Sequence, residues 1–400
     1  MAHVALIETY PYEAVWGGDA VYLDGLRTFL LGQGHRVESY ITDMTRGRSN
    51  PTMRLPGPSR VNHRWRVRQA IALGDGHYCS LDPRLLGKAL RRLPGGRAAI
   101  EQEIAAAEAE WVADALERTG PDLAILAFGA CAMTPAIRDL GIEVLALKGF
   151  FSDRRIRLGE QPPIPSVDRH LLESLAAATR VGFNNQHDLD LYASLSGRSN
   201  GVVIGMGFPE RVQSDPDGQP TLLFVGARTR PNIESLHWFL DRVWPAVRAG
   251  RPDASVRVVG SIGAAFAAAD YPGVAFLGFV DRLADEYRGA AIAIAPLVSG
   301  SSGIKTKIAE ALSFGRPVIT TTLGVDPGSP GQYGEAVIVA DDPVVFAKEA
   351  LDLLGNRDDQ VRRSVAASAQ YHRHFTEHAA YRALIPLLVP VERGTRVSAG

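Results

Sequence analysis

Short apolar runs and helix-length segments alternate twice along this chain, and a stretch that neither helix nor strand would tolerate parts the two sets. The first set opens with a strand at His3 to Thr9, a turn holding Gly17-Gly18, and a helix from Asp19 to Leu31 that Gly34 ends. A second strand, Val37 to Thr42, precedes a segment without strand alternation. The pattern resumes with an alanine-rich helix from Ile100 to Glu117 and strands at Leu123 to Ala127, Val144 to Leu147, Arg180 to Phe183 and Val202 to Ile204. Apolar strands separated by helices are what a parallel sheet covered on both faces requires. Between Phe208 and Pro220 fall three prolines and two aspartates, which reads as an interdomain linker.

Beyond the linker the alternation starts again: strand Thr221 to Val225, helix Asn232 to Val247, strand Ser255 to Val259, a short alanine-rich helix and strand Val274 to Leu277. Helix Leu283 to Arg288, strand Ala291 to Ala295, helix Ile304 to Phe314, strands Pro317 to Thr321 and Ala336 to Val339, and helix Pro343 to Leu354 complete it. The expected fold is therefore α/β, with two Rossmann-like doubly wound parallel sheets facing a cleft. The expected divisions are 1–208, a linker at 209–220, 221–360, and terminal helices at 361–390 that cross back to the first domain. A length of 400 residues suits two such cores.

Composition narrows the class. Hydrophobic residues at 46% and charged residues at 22% match ordinary globular usage and exclude a disordered or fibrous chain. A formal net charge of −1 provides no field to hold nucleic acid, so any anion must be bound locally. No apolar run approaches bilayer length, and Met1 to Ile7 lead straight into a strand-like segment without a basic start. Cys79 and Cys131 have no metal or redox spacing. The expectation is a cytoplasmic enzyme without membrane contact.

The most informative stretch runs from Pro296 to Asp326. Ser299, Gly300, Ser301, Ser302 and Gly303 form a loop whose backbone can approach a ligand closely, and the free amides of the next helix point back into it. Such a helix end binds phosphate. Ile304, Ile308, Ala311 and Leu312 make the packing stripe, while Lys307 and Glu310 fall off it and Lys305 sits in the first turn. A lysine there opposes the helix dipole and gains nothing for the helix itself. It makes sense beside a diphosphate; the competing reading is a solvated helix face with a local ion pair.

Here the chain resembles the donor domain of the retaining group 1 glycosyltransferases, which have the GT-B fold. The similar segments are Leu222 to Gly226 followed by Arg228, Pro231-Asn232 and Leu236 to Pro245, then Val256 to Gly260, Phe276 to Val280, Ala293 to Gly300 and Gly303 to Gly324. The resemblance implies that Glu310 serves the donor ribose. It implies that Arg228, Lys305 or Lys307 neutralises the diphosphate as it leaves, which makes these three the catalytic candidates. Gly226, Asn232, Ser302, Gly303 and Ile304 would line the donor pocket, backbone at Phe279 and Val280 would face the base, and Gly17-Gly18 would approach from the first domain. The implied donor is a UDP- or GDP-sugar, with retention and without a metal or other cofactor. Ser302 stands where many members carry a glutamate eight positions before the ribose carboxylate, and no lysine follows Arg228, Arg230 and Asn232 closely.

From Arg46 to Arg97 twelve basic residues stand against two aspartates, interleaved with His63, Trp65, His77 and Tyr78. The expected role is to face a small, anionic acceptor, with Arg64, Arg66, Arg68 and Asp19 as the residues concerned; the competing readings are a solvated structural face and contact with a membrane surface or RNA. His63, His77 and His187 lack metal spacing. Gly260-Ser261-Ile262-Gly263 lacks the full dinucleotide pattern. The rival functions are a sugar-nucleotide 2-epimerase of the same shape and a noncatalytic nucleotide-binding partner.

Overall fold

The computed structural model describes residues 1–8, 18–42, 59–61, 70–73, 77–80, 96–149, 169–209, 211, 219–299, 305–325 and 331–389. The first sheet is built from β1 (His3–Glu8), β2 (Arg36–Ile41), β3 (Ser59–Val61), β6 (Leu123–Ala127), β7 (Glu143–Gly149), β8 (Arg180–Phe183) and β9 (Gly201–Val203). The strand order is β3-β2-β1-β6-β7-β8-β9, and every pairing is parallel. In β1 Val4 and Leu6 join one apolar layer while Ala5 and Ile7 join the other. Both faces are covered, so the strand is apolar throughout rather than alternating. The helix α1 (Gly18–Gly32) covers one face with Tyr22, Leu23, Leu26 and Leu30, the spacing of a single helical stripe. Helices α2 (Gly96–Thr119), α3 (Thr134–Ile137), α4 (Arg169–Ala176) and α5 (Gln186–Ser196) complete the domain.

The segment after β2 departs from expectation. It carries β3, which extends the sheet at its edge, and an antiparallel pair, β4 (Ala70–Leu73) with β5 (His77–Ser80). These strands are only three or four residues long, too short for a period of two to stand out among the surrounding arginines.

The second sheet contains β10 (Thr221–Val225), β11 (Ser255–Val259), β12 (Val274–Gly278), β13 (Ile292–Ala295), β14 (Val318–Thr320) and β15 (Val337–Val339). It runs in the order β12-β11-β10-β13-β14-β15, again all parallel. The order reverses between β10 and β13, which opens the crevice at the carboxyl ends where such sheets bind ligands. The expected single helix from Asn232 to Val247 is two: α6 (Arg230–Arg242) and α7 (Trp244–Gly250), with Pro245 in the first turn of the second. A proline's missing amide is tolerated at a helix start and not within one. The alanine-rich stretch after β11 forms 3-10 turns, Ser261–Ala265 and Ala268–Asp270, rather than an α-helix. Helix α8 (Leu283–Arg288), α9 (Thr306–Ser313) and α10 (Pro343–Gly355) follow. Helix α9 therefore starts two residues later than the sequence suggests, and Lys305 is its extended N-cap residue rather than part of its first turn.

The last two helices tie the domains together. In α11 (Arg357–His374) the Asn356 side chain accepts from the Asp359 amide, Asp358 and Asp359 occupy the first turn, and His372, Arg373 and His374 the last. Both ends thus complement the helix dipole. Tyr371 donates its hydroxyl to the Phe208 carbonyl at 3.2 Å, and the Phe208 amide donates to the Phe375 carbonyl at 2.8 Å. Helix α12 (Glu377–Tyr381) lies against the first domain, where the Gly205 amide donates to the Ala380 carbonyl at 3.0 Å. The Tyr381 hydroxyl accepts from the Gly207 amide at 3.0 Å and donates to the Tyr22 carbonyl at 3.4 Å. Gly207 must be glycine here, since a Cβ would stand 2.5 Å from the Tyr381 ring.

Candidate functional site

Three glycines end three adjacent strands. Gly226 follows β10, Gly260 follows β11 and Gly278 closes β12. The Gly260 amide donates to the Gly278 carbonyl at 2.7 Å and the Gly226 amide to the Val259 carbonyl at 2.9 Å, so the strand ends are drawn together. Gly260 has φ +103°, and a Cβ on it would fall 2.3 Å from the Gly226 carbonyl oxygen. Only glycine permits that approach.

The turn after Gly226 is then clasped from two sides. The Arg228 amide donates to Ser261 Oγ at 2.9 Å, and Asn232 Nδ2 donates to the Ala227 carbonyl at 2.9 Å. The Arg228 side chain is exposed. Asn232 has a second task, because its Oδ1 accepts from Lys307 Nζ at 2.8 Å. The same ammonium lies over the Phe224 ring, 4.5 Å from its centre. Lys307 as a residue keeps some surface, yet its ammonium end is enclosed, and that burial together with the neighbouring Lys305 charge pushes its pKa down to about 7. Lys307 is thus no solvated face, and no ion pair joins it to Glu310. Among the described residues no carboxylate pairs with it.

Glu310, one turn along α9, is part-buried and accepts from the Tyr287 hydroxyl at 3.2 Å. Burial raises its pKa above the usual carboxylate range, opposed by the Arg211 charge and by the Tyr287 hydrogen bond. Tyr287 stacks on Phe314, with centroids 4.4 Å apart and planes at 14°. Ile308, Ala311 and Leu312 are buried, as the packing stripe requires.

Phe279, just beyond β12, is 66% exposed, whereas Val280 is part-buried against the core. Gly18 and Asp19 are the first residues of α1 and are described in backbone alone. Gly17, Ser302, Gly303, Ile304, Arg64, Arg66 and Arg68 lie outside the described residues. The structure thus brings together Gly226, Asn232 and Lys307 at the carboxyl end of β10, with the Lys305 charge close to Lys307, and places Glu310 one turn along α9 against Tyr287.

Several participants were not singled out from sequence. Glu234 accepts from Arg230 Nε at 2.7 Å and from Ser299 Oγ at 2.5 Å, while Ser235 Oγ accepts from the Val298 amide at 3.3 Å. Two consecutive side chains of α6 therefore hold the start of the loop after β13. The Arg230 to Glu234 spacing of four was a legible signal; the partner Ser299, 65 residues away, was not. In the first domain Arg27 donates to Glu8 at 2.7 Å and to Ser39 at 3.0 Å, all three buried, at the carboxyl end of β1. Phe128, directly after β6, has φ +50° and packs edge-on against Tyr22. Cys131 is a buried free thiol, and among the described residues no group of three His, Cys, Asp or Glu could hold a metal ion. No helix among them is long and apolar enough to cross a membrane.

Comparison with known proteins agrees with this geometry. Residues 219–356, which span the second sheet, match the family model for glycosyl transferases group 1. A curated relative from Klebsiella pneumoniae, named as an uncharacterized 44.6 kDa protein in the cps region, is 30% identical over 147 residues, covering 34% of this chain and 37% of that protein. The chain thus aligns with just over a third of that relative's length. Among solved structures, Anabaena HepE in complex with UDP and glucose superposes with TM-score 0.61 at 13% identity, over 97% of this chain and 99% of that one. Sucrose-phosphate synthase from Thermosynechococcus elongatus gives 0.64 at 16% identity over 97% and 98%. TarM from S. aureus gives 0.65 at 9% identity over 97% and 99%. These likenesses establish the fold.

Proposed function

We propose that the chain is a glycosyltransferase that moves a sugar from a nucleoside-diphosphate sugar, UDP- or GDP-linked, to a small and anionic acceptor, with retention at the anomeric carbon. The observation that carries this reading is Lys307: an enclosed ammonium, hydrogen-bonded to Asn232, without a carboxylate partner among the described residues, at the carboxyl end of a parallel sheet. An enclosed cation without a counter-charge is costly, and a diphosphate supplies that charge. The UDP held by the HepE neighbour supports the donor class.

In this reading Lys307, Lys305 and Arg228 stabilise charge as it grows on the departing diphosphate, and Glu310 accepts from the ribose hydroxyls. Gly226, Asn232, Ser302, Gly303 and Ile304 surround the phosphates, Phe279 and Val280 the base. The acceptor is met by the first domain, through Asp19, Arg64, Arg66 and Arg68, with Gly17 and Gly18 near the phosphates. No metal takes part, and the rate is unaffected by chelators. The reading fits glycan or natural-product biosynthesis.

The test is a thermal-shift screen against UDP, GDP, ADP and TDP, followed by incubation of the preferred sugar nucleotide with and without acceptors. A ligand that binds only the native state raises its melting temperature. Sugar transfer that needs an acceptor supports the reading, and the anomeric coupling in the product reads retention. Conversion of the sugar nucleotide alone marks an epimerase. Binding without any turnover marks a noncatalytic partner.

A further inference from the structure

Arg211 lies within the proline-broken stretch that joins the two domains, yet it reaches the second domain's site. Its guanidinium carbon stands 4.4 Å from the centre of the Phe314 ring. That ring, at the end of α9, carries Tyr287 stacked upon it, and the Tyr287 hydroxyl donates to Glu310. Among the described residues the buried Arg211 Nε has no hydrogen-bond partner, and Arg211 has no carboxylate in salt-bridge contact. Of the charges around Glu310, that of Arg211 acts most strongly upon its carboxylate. The other cations nearby are committed. Lys307 is bound to Asn232, and Arg316 is buried with its Nε donating to the Tyr287 carbonyl at 2.5 Å.

We propose that Arg211 is a positioning residue for the ribose carboxylate: from the interdomain segment, its guanidinium holds Glu310 oriented and charged so that both carboxylate oxygens can accept from a vicinal diol. This rests on the reading of Glu310 given above. A part-buried carboxylate with a single neutral donor among the described residues, Tyr287, is under-compensated, and an ionised acceptor makes hydrogen bonds roughly twice as strong as a neutral one. The contact with the Phe314 face holds the guanidinium in place without consuming its donors. Because Arg211 belongs to the segment between the domains, the quality of the ribose contact depends on where that segment lies.

The experiment measures by calorimetry the affinity of the full chain for UDP and for 2′,3′-dideoxy-UDP, in wild type, Arg211→Met, Arg211→Lys, Glu310→Gln and the Arg211→Met/Glu310→Gln double variant. Wild type is expected to prefer UDP. Arg211→Met should lower UDP affinity about tenfold and leave dideoxy-UDP affinity unchanged, Arg211→Lys should restore most of the loss, and in the Glu310→Gln background Arg211→Met should have little further effect. A purely structural role would weaken both ligands alike. If wild type prefers UDP and Arg211→Met keeps that preference in full, the role of Arg211 is overturned while Glu310 stands. If folded wild type does not discriminate between the two ligands, the ribose assignment falls and this inference with it. Should Arg211→Met not fold, Arg211→Lys against Arg211→Gln decides by the same ratio of affinities.

Discussion

If the proposed diphosphate lies against Lys307, its binding moves a proton, and the expected amount can be worked out from this lysine's surroundings. Its pKa is pushed down to about 7 by burial and by Lys305, against about 10.4 for an unperturbed lysine. At pH 8 only about a tenth of the free protein carries the charge. A diphosphate alongside restores the charged form, so binding takes up close to one proton, roughly 0.9 per nucleotide. At pH 6 the lysine is already charged and uptake at this group falls to about 0.1. The terminal phosphate, with a second ionisation near pH 6, is fully ionised at pH 8 and contributes little there.

The assay is titration calorimetry of UDP at pH 8 in two buffers of different ionisation enthalpy; the slope of observed enthalpy against buffer enthalpy gives the proton count. Lys307→Met should abolish the uptake and weaken binding at pH 7 by about tenfold or more, the range for losing a charge-assisted hydrogen bond. The same shift has a stability consequence of definite sign. A lysine whose folded pKa is depressed destabilises the native state below about pH 7, and the cost is relieved as pH rises toward the unfolded value. Without ligand, Lys307→Met should therefore melt no lower than wild type at pH 6, despite binding worse. An uptake near zero for wild type at pH 8, with UDP bound, would refute the placement of this ammonium at the phosphates.

Two further outcomes test the frame around the site. Gly260→Ala should lower stability in urea by about 1–3 kcal/mol and weaken nucleotide binding, because φ +103° and the 2.3 Å approach to Gly226 leave no room; Gly355→Ala, whose added carbon meets nothing within 4 Å beyond its chain neighbours and its own helix, should change stability by no more than about 0.5 kcal/mol. Tyr381→Phe should cost about 1–3 kcal/mol by urea unfolding, since it keeps the ring beside Phe29 and leaves the buried Gly207 amide without its acceptor; a midpoint equal to wild type would show that α12 is not held by this hydroxyl.

What sequence could and could not supply follows one physical rule. Period and punctuation are local, so the longer strands of both sheets and the stripe of Ile308, Ala311 and Leu312 were legible from residues a few positions apart. The short pieces escaped because three or four residues hold too little period, as at Ser59–Val61 and Ala70–Leu73, and because a proline at a helix start splits what its apolar stripe would join, as at Pro245. The site divides along the same line. Lys305, Lys307 and Glu310 could be grouped because one helix carries them. Their chemistry could not be graded, because it is set by partners far along the chain: Asn232 is 75 residues from Lys307 and Tyr287 is 23 from Glu310. Spacing treated Lys307 and Glu310 as neighbours on one face with equal standing. In the fold they turn to different partners, one an amide and an aromatic face, the other a phenol beside an arginine from outside the domain. That division sets the Lys307 ammonium, which has no carboxylate partner among the described residues, against Asn232 and the Phe224 ring, and the Glu310 carboxylate beside Tyr287 and Arg211, a separation that suits the diphosphate and ribose of the proposed donor.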